Sequence, residues 1–196
     1  MATSPKGELI ERIKVLSLYG ISDQRKIWQR YAPKGSWWYD VVELGYKYNM
    51  MDIQAALGIH QLKRLDEFIE RRTHFARMYA EGFADLDAVA QSPVRENIRH
   101  AWHLFPILIQ PEVLTVDRNR FIEELRAENI GTSVMYIPLH MHTYYQKLLG
   151  HQPGDFPTAY QLYERVINLP ISPKMSDEDV LDVIAAVRRI ARRHRR

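Results

Sequence analysis

The stretch Leu44–Arg72, LGYKYNMMDIQAALGIHQLKRLDEFIERR, decides how the rest of the chain is read. From Ile53 onward its apolar face recurs at helical spacing: Ile53, Ala56, Leu57, His60, Leu65, Phe68 and Ile69, continued by Arg72, Phe75, Met78 and Tyr79. Asp52 stands where an N-cap belongs. The pattern predicts one helix over residues 52–84, about 45 Å long at about 1.5 Å per residue. That is too long for a small domain, so the helix is expected to link two parts of a larger body. Ahead of it, Gly45-Tyr46-Lys47-Tyr48-Asn49 sets a lysine and an amide among aromatics. Backbone donors and the positive end of the dipole at a helix start suit an anion such as phosphate. Equally, two buried tyrosines could lock this loop and leave Lys47 and Asn49 solvated.

Working toward the N-terminus, residues 8–18 place Leu9, Ile10, Ile13, Leu16 and Leu18 near helical spacing, with Gly20 as the stop. Residues 20–45 hold Tyr31, Pro33, Gly35, Trp37, Trp38 and Tyr39 and read as a long ordered loop, because so many aromatics need burial or a partner. Toward the C-terminus, Ser92-Pro93 breaks the helix, and His100–Ile109 reads as a strand that Pro106 places at an edge or bulge. Asp117 caps a helix carrying Phe121, Ile122 and Leu125, which Gly131 ends; Thr132–Ile137 is a second strand. Tyr144–Leu149 and Thr158–Ile167 are short helices. Ser176 and Asp179 form a variant capping box for a last helix with Val180, Val183, Ile184, Val187 and Ile190 on one face. This organisation divides the chain into residues 1–91 and a small α+β domain at 92–196.

The chain has 196 residues, 46% hydrophobic and 26% charged, the balance of a globular protein. It has no cysteine, which excludes a disulfide framework, thiolate metal sites and cysteine catalysis, and fits a reducing, cytoplasmic setting. No apolar run reaches membrane-spanning length, and MATSPKGELIERIK lacks the apolar core of a secretory signal. The net charge of +3 comes from six arginines among the last nine residues; without them 21 basic residues face 24 acidic ones. Such a tail can bind phosphates or nucleic acid, but cations on a last helical turn also complement the dipole, and no nucleic-acid motif accompanies it. His140-x-His142, if on a strand, would turn both rings to one face as a metal site requires, though few carboxylates lie near in sequence.

Leu44–Arg72 resembles the DegT/StrS family of sugar aminotransferases. So do HAWHLFPI (100–107), GTSVMYIPLH (131–140), YYQKLLG (144–150) and GDFPTAYQLYERVINLPISPKMSDEDV (154–180), in order and with family-like spacing. G-Y-K-Y-N is most similar to the branch that aminates 4-keto sugar nucleotides, as the UDP-4-amino-4-deoxy-L-arabinose aminotransferases do. The resemblance implies an α/β, aspartate-aminotransferase-like (fold type I) architecture, with pyridoxal phosphate as cofactor. It implies a homodimer that transfers an amine from glutamate to a ketosugar nucleotide. It also implies that the loop holding Lys47, Tyr48 and Asn49 reaches the partner's cofactor phosphate. Most members read G-Y-N-Y-R there, so the amide and the cation have exchanged places. Tyr136, His140 and His103 match positions near substrate.

The family carries its Schiff-base lysine, pyridine-binding aspartate and large sheet in its N-terminal half. None of Lys6, Lys14, Lys26, Lys34, Lys47, Lys63, Lys147 and Lys174 lies in the family's lysine motif. The expectation is therefore a truncated, fold-type-I fragment: a linking helix plus a small α+β domain, inactive by itself and associating as a homo-oligomer or with another aminotransferase subunit. Complementation of such a subunit, or a nucleotide or nucleic-acid interaction through the arginine tail, are the alternatives.

Overall fold

The computed structural model describes residues 2–21 and 39–196, in two compact units, Met1–Lys63 and Arg64–Arg196. Tyr31, Pro33, Gly35, Trp37 and Trp38 lie outside the described residues.

In the first unit, helix α1 (Gly7–Ser17) forms as its spacing predicts, and none of its residues is buried. Gly20 closes it at φ 73°, its N–H donating to Val15 O at 3.0 Å. The returning segment is stitched to this terminus. Tyr46 N–H donates to Leu16 O (2.7 Å), Tyr19 N–H to Tyr46 O (2.8 Å) and Tyr48 N–H to Ser17 O (2.8 Å). The two passes touch so closely that a Cβ on Gly45 would sit 1.9 Å from the Gly20 nitrogen, and one on Gly20 1.7 Å from Glu43 O. Glycine at both positions follows from that approach. Helix α2 (Asp52–Lys63) comes next. Asp52 is its first helical residue rather than its cap, and Gln54 Oε1 accepts the Met51 N–H at 3.0 Å.

The helix predicted over 52–84 is two helices: α2 ends at Lys63, and α3 runs Leu65–Gly82 after Arg64 (φ −98°, ψ 0°). The compact units divide here, and α3 buries Phe75, Ala76 and Tyr79 in the core of the second unit. That core has a three-stranded antiparallel sheet, β1 (Val89–Gln91), β2 (Phe105–Ile109) and β3 (Val166–Leu169), in the order β1-β2-β3. β2 alternates buried and half-buried residues, so Phe105, Ile107 and Ile109 face the core. Against them pack Phe121 and Leu125 of α4 (Arg118–Ala127) and the buried stripe Val180, Val183, Ile184, Val187 and Ile190 of α7 (Asp177–Arg193). Gly82 allows α3 to meet α7, since a Cβ there would lie 2.7 Å from Ile184. Tyr79 is fully buried and donates its hydroxyl to Pro170 O at 2.7 Å; burial pushes its ionisation well above the phenolic range.

The two caps predicted in the second unit form. Asp117 accepts the Arg120 N–H at 2.8 Å, and Ser176 and Asp179 exchange bonds of 3.1 and 2.8 Å. Other expectations shift. Asn129, at φ 62°, turns the chain after α4 ahead of Gly131. Thr132–Ile137 is not a strand; only Ser133 bridges, to Asn168. The helix predicted over 158–167 is α6 (Pro157–Arg165), and the residues after it become β3. α5 is Thr143–Leu149.

Pro106 lies on the central strand, one residue beyond the last β1 partner, Ile107↔Gln91. It faces Asn168, whose own N–H and C=O bond Ser133 on the other side. The ladder therefore asks no donor of Pro106 toward β3, and past the end of β1 the strand is locally an edge.

Candidate functional site

The Gly45–Asn49 loop owes its place to the clasp on α1. Lys47 bridges Leu18, and its ammonium lies 4.7 Å from the centroid of the Tyr19 ring. Tyr46 and Tyr48 stack at 5.2 Å with planes 8° apart. These tyrosines are exposed, as are Lys47 and Asn49, so the reading in which buried tyrosines lock the loop does not hold. The backbone hydrogen bonds to α1 do the locking instead. Cation, amide and two aromatic faces are all presented outward, a donor set that suits an anionic, partly aromatic ligand.

The second group lies on the other unit. Tyr136 is 75% exposed. His140 is buried in a 3₁₀ turn (Leu139–Met141), its ring centroid 4.7 Å from that of Phe156 with the planes tilted by 48°. Its Nε2 is 3.2 Å from Pro153 O. A carbonyl only accepts, so Nε2 carries the hydrogen and Nδ1 is the ring nitrogen left for other chemistry. The supporting loop is itself tied: Gln152 N–H donates to Asp155 at 3.0 Å and His151 pairs with it at 3.3 Å. These two donors hold the Asp155 carboxyl below its ordinary value. His142 caps α5 from an extended backbone, so His140-x-His142 is not the one-faced strand pair that a metal site requires. His103 is exposed beside a groove of about 340 Å³ lined by Ser92, Pro93, His100, Trp102 and Pro106, without Tyr136 or His140. Tyr136 and His140 thus share one segment, while His103 lines a separate surface. Asn168, Pro153 and Tyr19 had no functional signature in the sequence; the one hint at Asn168 is a polar residue inside the apolar run Val166–Leu169.

Each described lysine (Lys6, Lys14, Lys47, Lys63, Lys147 and Lys174) is exposed. A Schiff-base lysine needs a desolvated or cationic pocket to lower its pKa, and none of these six has a buried one. The arginine tail is engaged internally. Arg188 grips Asp85 (2.5 and 2.8 Å) and Gly82 O (2.8 Å), Arg195 pairs with Asp87 (2.5 Å) and Arg193 with Glu124 (3.1 Å); Arg189 pairs with Glu128. Arg196 Nε donates to Leu114 O at 2.8 Å. These contacts remove most of the tail from any role as an open phosphate-binding arm.

The profile of the DegT/DnrJ/EryC1/StrS aminotransferase family matches residues 1–188. The chain belongs to that family. It is 49% identical over 195 residues to the uncharacterized protein MJ1066 of Methanocaldococcus jannaschii, covering all of this chain and 50% of that protein. It is 47% identical over 193 residues to the spore coat polysaccharide biosynthesis protein SpsC of Bacillus subtilis, covering 98% of this chain and 49% of SpsC. Among solved structures, Spr1654 of Streptococcus pneumoniae, named as a candidate sugar aminotransferase, superposes in its PMP form with a TM-score of 0.86 at 31% identity; 97% of this chain and 47% of that one are covered. Its PLP form gives 0.83. Helicobacter pylori PseC, at 24% identity and a TM-score of 0.84, shares the fold. The chain therefore spans about half the length of the relatives it matches, and its architecture is part of the α/β, fold-type-I aminotransferase fold. The family's cofactor is pyridoxal phosphate. Among the described residues no helix is long and apolar enough to cross a membrane.

Proposed function

We propose that this chain is the substrate- and partner-facing half of a pyridoxal-phosphate-dependent sugar aminotransferase that passes an amino group from glutamate to a 4-keto sugar nucleotide. The family match along residues 1–188 carries this reading. The role of SpsC in spore coat polysaccharide biosynthesis agrees with a product destined for a polysaccharide. In this proposal the chain acts in the cytoplasm as part of a homodimer or of a mixed assembly, and the 196 residues have no activity by themselves.

Bound pyridoxal phosphate supplies an electron sink for the amine exchange. This chain's own residues bind and orient. Lys47 and Asn49, with the Tyr48 face beside them, hold the phosphate of a cofactor seated in a partner subunit. Tyr136 meets the sugar nucleotide. His140 offers Nδ1 to a sugar hydroxyl, because Nε2 is committed to Pro153 O. His103 meets substrate from a separate surface, the groove it lines with His100 and Trp102. The exposure of every described lysine supports the assignment of the covalent attachment to another segment.

The test mixes this chain with the N-terminal half of SpsC and follows conversion of glutamate to 2-oxoglutarate in the presence of pyridoxal phosphate and a 4-keto sugar nucleotide. Turnover only in the mixture, and weaker cofactor retention in Lys47→Ala, is the expected result. No co-elution and no turnover overturns the proposal, as does equal turnover by this chain alone.

A further inference from the structure

Asn168 interrupts the apolar run Val166-Ile167-Asn168-Leu169 on β3. Ile167 and Leu169 point into the core, so the pleat turns Asn168 to the opposite face. It is nevertheless only 3% exposed. An amide buried to that degree must find partners or cost stability. Its partners converge on one residue. The Asn168 N–H donates to Ser133 O at 2.8 Å, Asn168 O accepts from Ser133 N–H at 3.2 Å, and side-chain Nδ2 donates to Ser133 O at 3.2 Å.

No strand extends from Ser133 itself. Residues 134–138 have no regular structure, and the exposed Tyr136 sits among them. The next fastening is at His140, through Pro153 O. Residues 133–140 thus form a strap tied at both ends, with Tyr136 near its middle. A lone bridge lacks the neighbouring rungs that make a ladder cooperative, so the side-chain bond from Asn168 is the element that makes the first tie specific. A leucine would satisfy the burial at this position but not the bond.

We infer that Asn168 is a positioning residue: by fixing Ser133 it sets where the strap presents Tyr136 to a sugar nucleotide. The role of Tyr136 rests on the function proposed above, whereas the tie does not. Hydrogen exchange on this chain reads the tie directly. Asn168→Leu speeds exchange of the Ser133 amide, which donates to Asn168 O, about tenfold, the scale of losing one buried hydrogen bond, and leaves the α7 amides unchanged. Asn168→Ser, which restores a short donor, returns the Ser133 amide toward native exchange. Unchanged exchange at Ser133, or a rise shared equally by α7, overturns the inference. In the mixture with the SpsC half, Asn168→Leu raises KM for the 4-keto sugar nucleotide more than it lowers kcat, Asn168→Ser recovers it, and Tyr136→Ala reproduces the KM effect. If exchange behaves as expected while Tyr136→Ala leaves KM untouched, the reading of Tyr136 is overturned and the tie is supported.

Discussion

Helices α2 and α3 are consecutive, separated by Arg64 alone, yet they live under opposite conditions. α3 gathers its apolar residues into one stripe and buries Phe75, Ala76 and Tyr79 within its own unit. α2 carries Ile53, Ala55, Ala56, Leu57, Ile59 and Leu62 around most of its circumference and buries none of them; Leu57 is 63% exposed. A helix apolar on all sides belongs in an interior. The difference teaches that the second unit is self-sufficient in packing, whereas α2 is written for an environment that these residues do not supply. Exposed Leu44, Tyr46, Tyr48, Met50 and Met51 ahead of α2 extend the same lesson. Apolar exposure on this scale marks an interaction surface.

The largest effect should come from breaking the self-sufficient side. Phe121 is wholly buried, and Phe121→Ala is expected to cost about 3–5 kcal/mol in urea unfolding. On the other side, Leu57→Ala should change the same measurement by no more than about 0.5 kcal/mol, as an exposed substitution does. Leu57→Asp should instead lower the associated mass seen by light scattering. A wild-type monomer, or a large unfolding cost for Leu57→Ala, would erase the contrast.

Ser176→Ala should cost about 1 kcal/mol by removing the cap of α7, and Tyr79→Phe about 1 kcal/mol by leaving Pro170 O without its donor. Denaturant midpoints check both. The smallest effect concerns pH. The hydrogen bond from Arg188 lowers the exposed Asp85 carboxyl to about 2 from the ordinary 3.8. A carboxylate lowered on folding contributes stability above its unfolded value and loses it as pH falls through the folded one. A small extra loss between pH 4 and 2 should therefore appear in thermal melts and vanish in Asp85→Asn.

The stripe of α7, its cap and that of α4 were legible, because each rests on local spacing or one side chain at a fixed offset. The break at Arg64 was not: no glycine or proline marks residues 63–65, and only the packing of α3 onto α7 separates it from α2. β3 was read as the end of a helix because Val166–Leu169 is too short for periodicity to decide, and tertiary pairing with β2 decided it. At the candidate site the identities Lys47, Asn49, Tyr136 and His140 came from motif resemblance. Their settings came from contacts far apart in sequence, Tyr19 beneath Lys47 and Pro153 against His140, which spacing does not encode. The arginine tail reads in sequence as cations on a last helical turn; its carboxylate partners at residues 85, 87, 124 and 128, far apart in sequence, are visible only in the fold.

The central claim is that this chain holds substrate and a partner's cofactor phosphate while the covalent attachment lies on another segment. Borohydride reduction with pyridoxal phosphate, applied to the mixture of this chain with the SpsC N-terminal half and followed by peptide mass mapping, tests it most directly. One stoichiometric adduct on a lysine of the SpsC half, and none on this chain, is the expected result. A stoichiometric adduct on a single lysine of this chain would contradict it.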